Sequence, residues 1–160
     1  MSSQKRGGLA DLLRGHSSAA TRYAAALARR MGMGTSELAA LEHLQGAGPM
    51  TPGRLGGRLS MSPGAVTALV DRLEGRGHVE RTPNPQDRRS ALLSQTEGGL
   101  RDSLENLWPY IVEMRSIEEG FTQEERAVIS RYLKAATEAT HRHAEELSRE
   151  RQDPPAKPDT

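Results

Sequence analysis

Hydrophobic residues recur at helical spacing along most of the chain and alternate with polar residues over one short central stretch. Residues 9–31 are rich in alanine, and their apolar positions fall on one side of a helix. A second helix is predicted from a cap at Thr35 or Ser36 to about Gln45, because Gly46 and the residues after it interrupt the pattern. The N-terminal part of the chain is therefore predicted to be helical.

Two short helices joined by a turn are predicted next. Thr51 caps the first and Ser62 caps the second, and Pro52 and Pro63 occupy their first turns, where a missing N–H has no cost. The second helix has four apolar residues on one side: Val66, Leu69, Val70 and Leu73. Its opposite side begins with small residues, which would let the backbone approach base edges in a major groove. A plain amphipathic helix with a solvated outer side is the alternative that this pattern leaves open.

The alternating stretch predicts a β-hairpin directly after the second short helix. Residues 78–81 form its first strand, residues 82–87 a turn punctuated by prolines, and residues 90–94 the returning strand. Arg88 and Arg89 lie at the turn. A helix-turn-helix followed by a hairpin with arginines at its tip is the arrangement with which winged helix-turn-helix proteins bind duplex DNA.

Two long helices are predicted in the C-terminal part of the chain. The first is capped by Thr96 and runs to about Glu119, with a bend expected at Pro109. The second begins at a capping box, residues 122–125, and runs to about Arg149. We expect four segments: an N-terminal dimerisation helix (residues 1–34), a winged helix-turn-helix DNA-binding domain (35–97), C-terminal dimerisation helices (98–150) and a disordered tail (151–160).

Composition limits the classes of protein that fit. Of 160 residues, 35% are hydrophobic and 3% aromatic. Such a composition provides a small hydrophobic core for this length, as expected for a helical subunit that completes its core by packing against a partner. The chain has no cysteine, which excludes disulfides, thiol redox chemistry and cysteine zinc sites. It has no run of 18 apolar residues and no hydrophobic stretch of a signal peptide near its start, so we expect a cytoplasmic protein.

The net charge of +1 conceals an uneven distribution. Residues 51–90 carry seven basic and four acidic side chains, whereas residues 91–160 carry nine basic and fourteen acidic. All seven basic residues of the central segment are arginines, which suit bidentate contacts with phosphate and guanine. Uneven charge is common on protein surfaces, so this distribution supports nucleic-acid binding only together with the helix and hairpin pattern.

Residues 9–148 resemble the MarR family of bacterial winged-helix transcriptional regulators. The resemblance rests on the segment AVTALVDRLEGRGHVER, on the wing residues Asp87-Arg88-Arg89, and on Leu92-Leu93 followed by Thr96. It implies a mainly α fold with a small β-hairpin wing, an α+β arrangement of a winged helix-turn-helix domain and a helical dimerisation region. It also implies a homodimer that presents two recognition helices to successive major grooves of a pseudo-palindromic operator.

Two positions depart from the family pattern. Gln95 stands where the family usually has leucine before the capping threonine, so the packing of that strand end is in doubt. Gly56 and Gly57 stand where the family usually has alanine or polar residues, and we expect local softness in that helix.

The candidate DNA contacts follow from the resemblance and from the chemistry of each side chain. Five residues are expected at the major groove: Ser62, Pro63, Ala65, Thr67 and Ala68. Thr67 can offer both a hydroxyl and a methyl group to base edges. Arg54 and Arg58 are expected at phosphates of the DNA backbone. The resemblance implies that a wing arginine enters the minor groove: Arg88, at the tip, or Arg89, at the Asp-x-Arg position, with the choice between them left open. Arg72 is expected beside a phosphate.

Asp71 and Asp87 are expected to lie near DNA, where a carboxylate without a positively charged partner is repelled by the phosphates. Two carboxylates close to phosphates would be costly, so we predict that each pairs with an arginine and fixes the angle of the wing. Two acids that simply face solvent are an equally open alternative.

Many members of the family release DNA when a lipophilic or phenolic ligand binds between the dimer base and the winged domain. The candidate lining residues in this chain are His16, Tyr23, His43, Trp108 and Tyr110. Ordinary core or interface roles are the favoured alternative for each of them. No cofactor and no metal are expected, because His141 and Glu145 have ligand spacing on a helix but two ligands do not make a zinc site.

The chain is not expected to be an enzyme. No Ser-His-Asp arrangement, glycine-rich phosphate loop or paired-carboxylate motif is present in the sequence. The sequence therefore predicts a sequence-specific, double-stranded-DNA-binding regulator that acts as a repressor. The alternative is a dimeric adaptor that uses the winged domain to hold another protein without binding DNA.

Overall fold

The computed structural model describes residues 8–87 and 89–152, with the side chains of the last helix described as far as Leu147. The chain is mainly helical with one small antiparallel hairpin, which confirms the predicted fold class. Its elements are α1 (Leu9–Arg30), α2 (Thr35–Ala47), α3 (Pro52–Leu59), α4 (Pro63–Gly75), β1 (Val79–Pro83), β2 (Ala91–Gln95), α5 (Glu97–Glu119) and α6 (Gln123–Gln152).

The helices α3 and α4 begin where the sequence predicts. Thr51 Oγ1 accepts a hydrogen bond from the Arg54 backbone N–H at 3.3 Å, and Ser62 Oγ accepts from the Ala65 N–H at 3.4 Å. Each hydroxyl satisfies an N–H that the first helical turn leaves unpaired. A proline follows each cap directly, so the start of the helix-turn-helix is defined by the local sequence.

Other helix ends were predicted less accurately. The predicted cap of α2 at Thr35 or Ser36 is wrong, because Gly34 is the N-cap residue and the helix continues through Gly46 to Ala47. The predicted capping box of α6 is confirmed, with Thr122 and Glu125 exchanging backbone-to-side-chain hydrogen bonds of 2.8 and 3.2 Å. The last helix extends to Gln152, and the rest of the predicted tail, residues 153–160, lies outside the described residues.

The chain divides into two compact units, one ending at Trp108 and the other beginning at Pro109. The first unit has a continuous hydrophobic core between α2, α3, α4 and the hairpin. All four apolar residues predicted to face inward from α4 belong to it, each with 2% or less of its surface exposed. The largest fully buried side chains are those of Leu41, Met50, Leu55, Leu69, Leu73 and Leu93.

The hairpin is joined to the body of the first unit by a third extended segment. β1 and β2 pair antiparallel, with Val79 opposite Gln95. Met50 forms a bridge with Leu93 through two backbone hydrogen bonds, Met50 N to Leu93 O at 3.1 Å and Leu93 N to Met50 O at 2.8 Å. Gln95 completes its strand, and its Nε2 donates to Ser103 Oγ at 2.9 Å, so its amide is partly satisfied in place of the usual leucine.

Two glycines mark close approaches between elements of the first unit. A Cβ at Gly56 would lie 2.9 Å from Val66 Cγ2, so the side chain of Val66 on α4 packs directly against the backbone of α3 at this point. A Cβ at Gly99 would lie 2.5 Å from the carbonyl oxygen of His78, which allows the start of α5 to pack on the turn before β1. Gly56 is therefore needed for tight packing, whereas Gly57 has open space around it, and the expected softness of this helix stays a prediction.

The second unit contains the end of α5 and the described part of α6, and much of its apolar surface is exposed. Large hydrophobic side chains between 38% and 55% exposed are those of Val112, Met114, Ile117, Phe121, Val128, Ile129 and Leu133. Several of them line a groove of about 530 Å³ within this unit. Among the described residues, none of the helices combines the length and the apolar character that crossing a bilayer requires.

Candidate nucleic-acid interface

The first half of α4 has an exposed side made of small side chains. Ser62, Pro63, Thr67 and Ala68 are exposed, and Ala65 is half-buried. The opposite side of α4 is buried in the core through Val66, Leu69, Val70 and Leu73, and this packing sets the orientation of the exposed side. The structure thus brings together the five residues predicted for the major groove on one surface. Short side chains at these positions leave room for a helix backbone to approach base edges.

The hydroxyl of Thr67 is engaged within its own helix. Thr67 Oγ1 donates a hydrogen bond to the Pro63 carbonyl oxygen at 3.0 Å. Because its single proton is used there, the oxygen is left as an acceptor and the γ-methyl as an apolar contact. In a major groove these groups match an exocyclic amino group of adenine or cytosine and the methyl group of thymine.

Arg81 on β1 ties the hairpin to α4. Its Nη2 lies 2.6 Å from Asp71 Oδ1, and its Nη1 contacts Glu74 Oε2. The two carboxylates lie three residues apart on α4, so one guanidinium reaches both. Asp71 was singled out in the sequence, whereas Glu74 and Arg81 were not. The spacing of the two acids was a visible signal, but nothing local indicated which arginine would face them.

A buried carboxylate lies behind the second half of α4. Glu37 on α2 is 4% exposed and accepts hydrogen bonds from Arg72 Nε at 2.6 Å, from the Gly34 N–H at 2.9 Å and from Arg76 Nη1 at 3.4 Å. Burial by itself would raise the pKa of Glu37. The hydrogen bonds from Arg72 and Gly34 and the charges of the two arginines outweigh burial and lower that pKa below its usual value. Sequence reasoning missed Glu37 and Arg76, although an acid three residues after the helix cap was a visible signal.

Two arginines of α3, Arg54 and Arg58, are exposed. Within the described part of the chain, neither the Arg54 nor the Arg58 side chain makes an ion pair. Arg54 lines a cleft of about 380 Å³ that the start of α3 shares with the hairpin turn at Asn84, Pro85 and Gln86. Their positive charge is therefore not neutralised by a neighbouring carboxylate of the described chain.

The tip of the hairpin is an ordered polar turn. Buried Asn84 donates through Nδ2 to Ser90 Oγ at 2.9 Å and accepts through Oδ1 from the Gln86 N–H at 3.0 Å. Asp87 Oδ1 accepts from the backbone N–H of Arg89 at 3.0 Å, rather than from the guanidinium of a described arginine. Arg89 is exposed, and Arg88 lies outside the described residues.

The candidate effector residues have different surroundings. His16 is exposed on α1, whereas Tyr23 is partly buried and packs against the core of the first unit. His43 is half-buried on α2, and Trp108 is 54% exposed. Tyr110 belongs to the second unit and lines its apolar groove. For metals, the described residues contain no group of three histidine, aspartate or glutamate side chains arranged to hold an ion.

A bacterial regulator supplies the deciding comparison. The HTH-type transcriptional regulator YcgE of Bacillus subtilis is 32% identical to this chain over 122 residues, which cover 76% of this chain and 79% of that protein. The MarR family model matches residues 31–90. The chain belongs to the MarR family. Its winged helix-turn-helix fold and its role as a transcriptional regulator, not an enzyme, follow from that membership.

Solved structures of similar regulators extend the likeness to most of the chain. The transcriptional regulator Tm0710 from Thermotoga maritima is 27% identical, has a TM-score of 0.60, and the match covers 84% of this chain and 95% of that one. A variant of MarR from Escherichia coli, complexed with operator DNA, is 26% identical with a TM-score of 0.54, covering 80% and 92% of the two chains.

Proposed function

We propose that this MarR-family chain is a homodimeric repressor that binds a pseudo-palindromic operator in double-stranded DNA. The observation that carries the proposal is the exposed side of α4, which begins with small residues. Two exposed arginines of the preceding helix α3 have no ion pair within the described chain. The DNA complex of the Escherichia coli relative supports the same use of this fold. A repressor of this kind acts in the cytoplasm, where its DNA is.

Each predicted contact has a separate role in the proposal. Ser62, Pro63, Ala65, Thr67 and Ala68 meet base edges in the major groove, and Arg54, Arg58 and Arg72 meet phosphates. One arginine of the wing, Arg88 or Arg89, enters the minor groove, where a narrow A·T-rich segment concentrates negative potential. Asp71 orients the wing through Arg81, and Asp87 does so by bracing the turn at the backbone of Arg89.

The homodimer is supported by the apolar surface of the second unit. Eight large hydrophobic side chains of its described residues are more than a third exposed, an arrangement that marks an interaction surface in a chain of this size. Leu9 and Leu12 near the start of α1 are also more than 60% exposed. A two-fold dimer would place half-sites about one helical turn of DNA apart, roughly 34–36 Å.

Release of the operator by a lipophilic or phenolic ligand is a separate part of the proposal. Tyr23 and His43 are partly buried and Trp108 is half exposed, so each could take part in a binding surface or serve only in packing. A screen of phenolic compounds against the protein–DNA complex would decide between these roles.

The experiment that tests DNA binding is selection of a duplex from a randomised pool, followed by fluorescence anisotropy at several salt concentrations. We expect tight binding to a selected two-fold sequence with steep salt dependence, because arginines release counterions from phosphates. The Arg88→Ala/Arg89→Ala variant should weaken binding and lower the salt slope by about 0.9 for each phosphate that the protein no longer neutralises. Arg131→Ala/Arg142→Ala on α6 removes the same charge and should leave the slope unchanged.

The adaptor alternative predicts a different outcome. A protein that uses its winged domain only to hold another protein would select no duplex and would elute from heparin at low salt. Selection of a duplex with an unchanged salt slope in the wing variant would leave DNA binding in place but overturn the role of the wing arginines.

A further inference from the structure

Glu37 lies behind the proposed DNA-binding surface and contacts two arginines, Arg72 in α4 and Arg76 at the C-cap of that helix. Its carboxylate is buried, while the side chains of Arg72 and Arg76 are 55% and 45% exposed. The ion pairs therefore run from the interior of the first unit outward to its surface. Ionised carboxylates are buried at a large cost unless they are hydrogen-bonded, and here three donors meet that need.

The two arginines are held in different ways. Arg76 Nη1 contacts Glu37 and also donates to the Gly32 carbonyl oxygen at 2.7 Å, so it links α4 to the turn between α1 and α2. Arg72 uses its Nε for Glu37, and its two Nη groups make no hydrogen bond with the part of the chain that the structure describes. The guanidinium of Arg72 is thus held through its Nε, and the four N–H groups on its two Nη atoms remain available as donors.

We propose that Glu37 is a positioning residue for DNA binding, which holds Arg72 in one orientation so that its Nη groups are presented to a phosphate. The inference rests on the proposed function and adds to it a residue that does not itself touch DNA. An arginine that is ordered before binding does not have to lose its side-chain freedom when the complex forms. A planar guanidinium held by Nε can still offer two parallel donors to a phosphate.

Removing the charge of Glu37 should change the affinity for DNA in opposite directions under the proposal and under simple electrostatics. Glu37 carries a negative charge close to the proposed DNA surface, so removal of that charge should strengthen binding if only net charge matters. If Glu37 positions Arg72, the same change should weaken binding, because the guanidinium loses its fixed orientation.

The test is a double-mutant cycle, measured by fluorescence anisotropy with the duplex that the unmodified chain selects. We expect Glu37→Gln and Arg72→Gln each to weaken binding about tenfold, and the double variant to bind no more weakly than Arg72→Gln alone. Glu42→Gln removes the same charge from an exposed position of α2 and should not weaken binding. Equal or tighter binding by Glu37→Gln, or fully additive effects in the double variant, would overturn the proposal.

A second variant decides the question if Glu37→Gln does not fold, as judged by its circular dichroism and thermal melting. Arg72→Lys keeps the positive charge but has one ammonium group, which cannot hold Glu37 through one nitrogen and a phosphate through two others. We expect it to bind as weakly as Arg72→Gln, whereas full retention of affinity would contradict the proposal. If the unmodified chain selects no duplex, DNA binding itself has failed, which is distinct from both of these outcomes.

Discussion

Asp71 on the recognition helix α4 and Arg81 on the first wing strand form an ion pair, with Arg81 Nη2 2.6 Å from Asp71 Oδ1. The same guanidinium also contacts Glu74, one turn further along α4. Two carboxylates on one arginine restrict the rotation of the hairpin about the helix. The groove-binding helix and the wing are therefore expected to approach DNA in one fixed relative orientation.

Replacing Arg81 tests this coupling. Arg81→Met keeps the length of the side chain and removes its charge, and because all three partners are partly exposed we expect a stability loss of only about 0–1 kcal/mol. Affinity for the selected duplex should fall about tenfold, since the wing loses its fixed angle. Arg101→Met, on an exposed part of α5, is the matched control. Equal affinity for the variant and the unmodified chain would show that the ion pair does not orient the wing.

The neighbouring glycines of α3 should respond to alanine in opposite directions. A Cβ at position 56 would lie 2.9 Å from Val66 Cγ2 and 3.3 Å from the Met61 carbonyl oxygen, so Gly56→Ala must push α3 and α4 apart. We expect a loss of about 1–3 kcal/mol in the free energy of unfolding. Gly57→Ala meets nothing within 4 Å and should gain about 0.5–1 kcal/mol through helix propensity. Urea denaturation of both variants checks this, and equal shifts would refute the close approach at Gly56.

Acid should remove the stabilising contribution of Glu37. Its pKa in the folded chain is lower than the usual 4.5, so the carboxylate stabilises the fold fully above that usual value. The contribution is lost as the pH falls through the lowered folded-state pKa. The gap between the urea midpoints of the unmodified chain and Glu37→Gln should therefore be largest at and above about pH 5 and should narrow below about pH 4. A gap that is constant across this range would contradict the assignment.

A charge in the exposed apolar surface of the second unit should prevent dimerisation. Ile117 is 51% exposed and lines the groove between α5 and α6. Ile117→Glu should shift the sedimentation velocity species from a dimer to a 17.4 kDa monomer, since an unpaired carboxylate cannot be buried there cheaply. Gln45→Glu adds the same charge to an exposed site on α2 and should remain dimeric. A dimeric Ile117→Glu would place the interface elsewhere.

The elements of the winged domain could be predicted because their signals are local. Thr51 and Ser62, each followed by proline, define the starts of α3 and α4, and the alternation after residue 77 defines β1. The exposed side of α4 followed from the same periodicity, since fixing the inward residues fixes the outward ones.

The remaining features depend on contacts between distant parts of the chain. Glu37 meets arginines that lie 35 and 39 residues away, and Met50 pairs with a strand residue 43 positions later. Periodicity specifies which side of a helix is buried but not which residue lies opposite it. The packing role of Gly56 could not be predicted for the same reason, because it depends on Val66 in the next helix.

The bridge between Met50 and Leu93 has a mechanical consequence. Both residues are almost completely buried, and Met50 directly precedes the residue that caps α3. The bridge thus fixes the position of the wing's stem on the body of the first unit, and the ion pairs of Arg81 then set the angle of the wing against α4. A wing held in this way meets DNA as a preformed arm, so duplexes whose groove width departs from its fit are expected to bind less tightly.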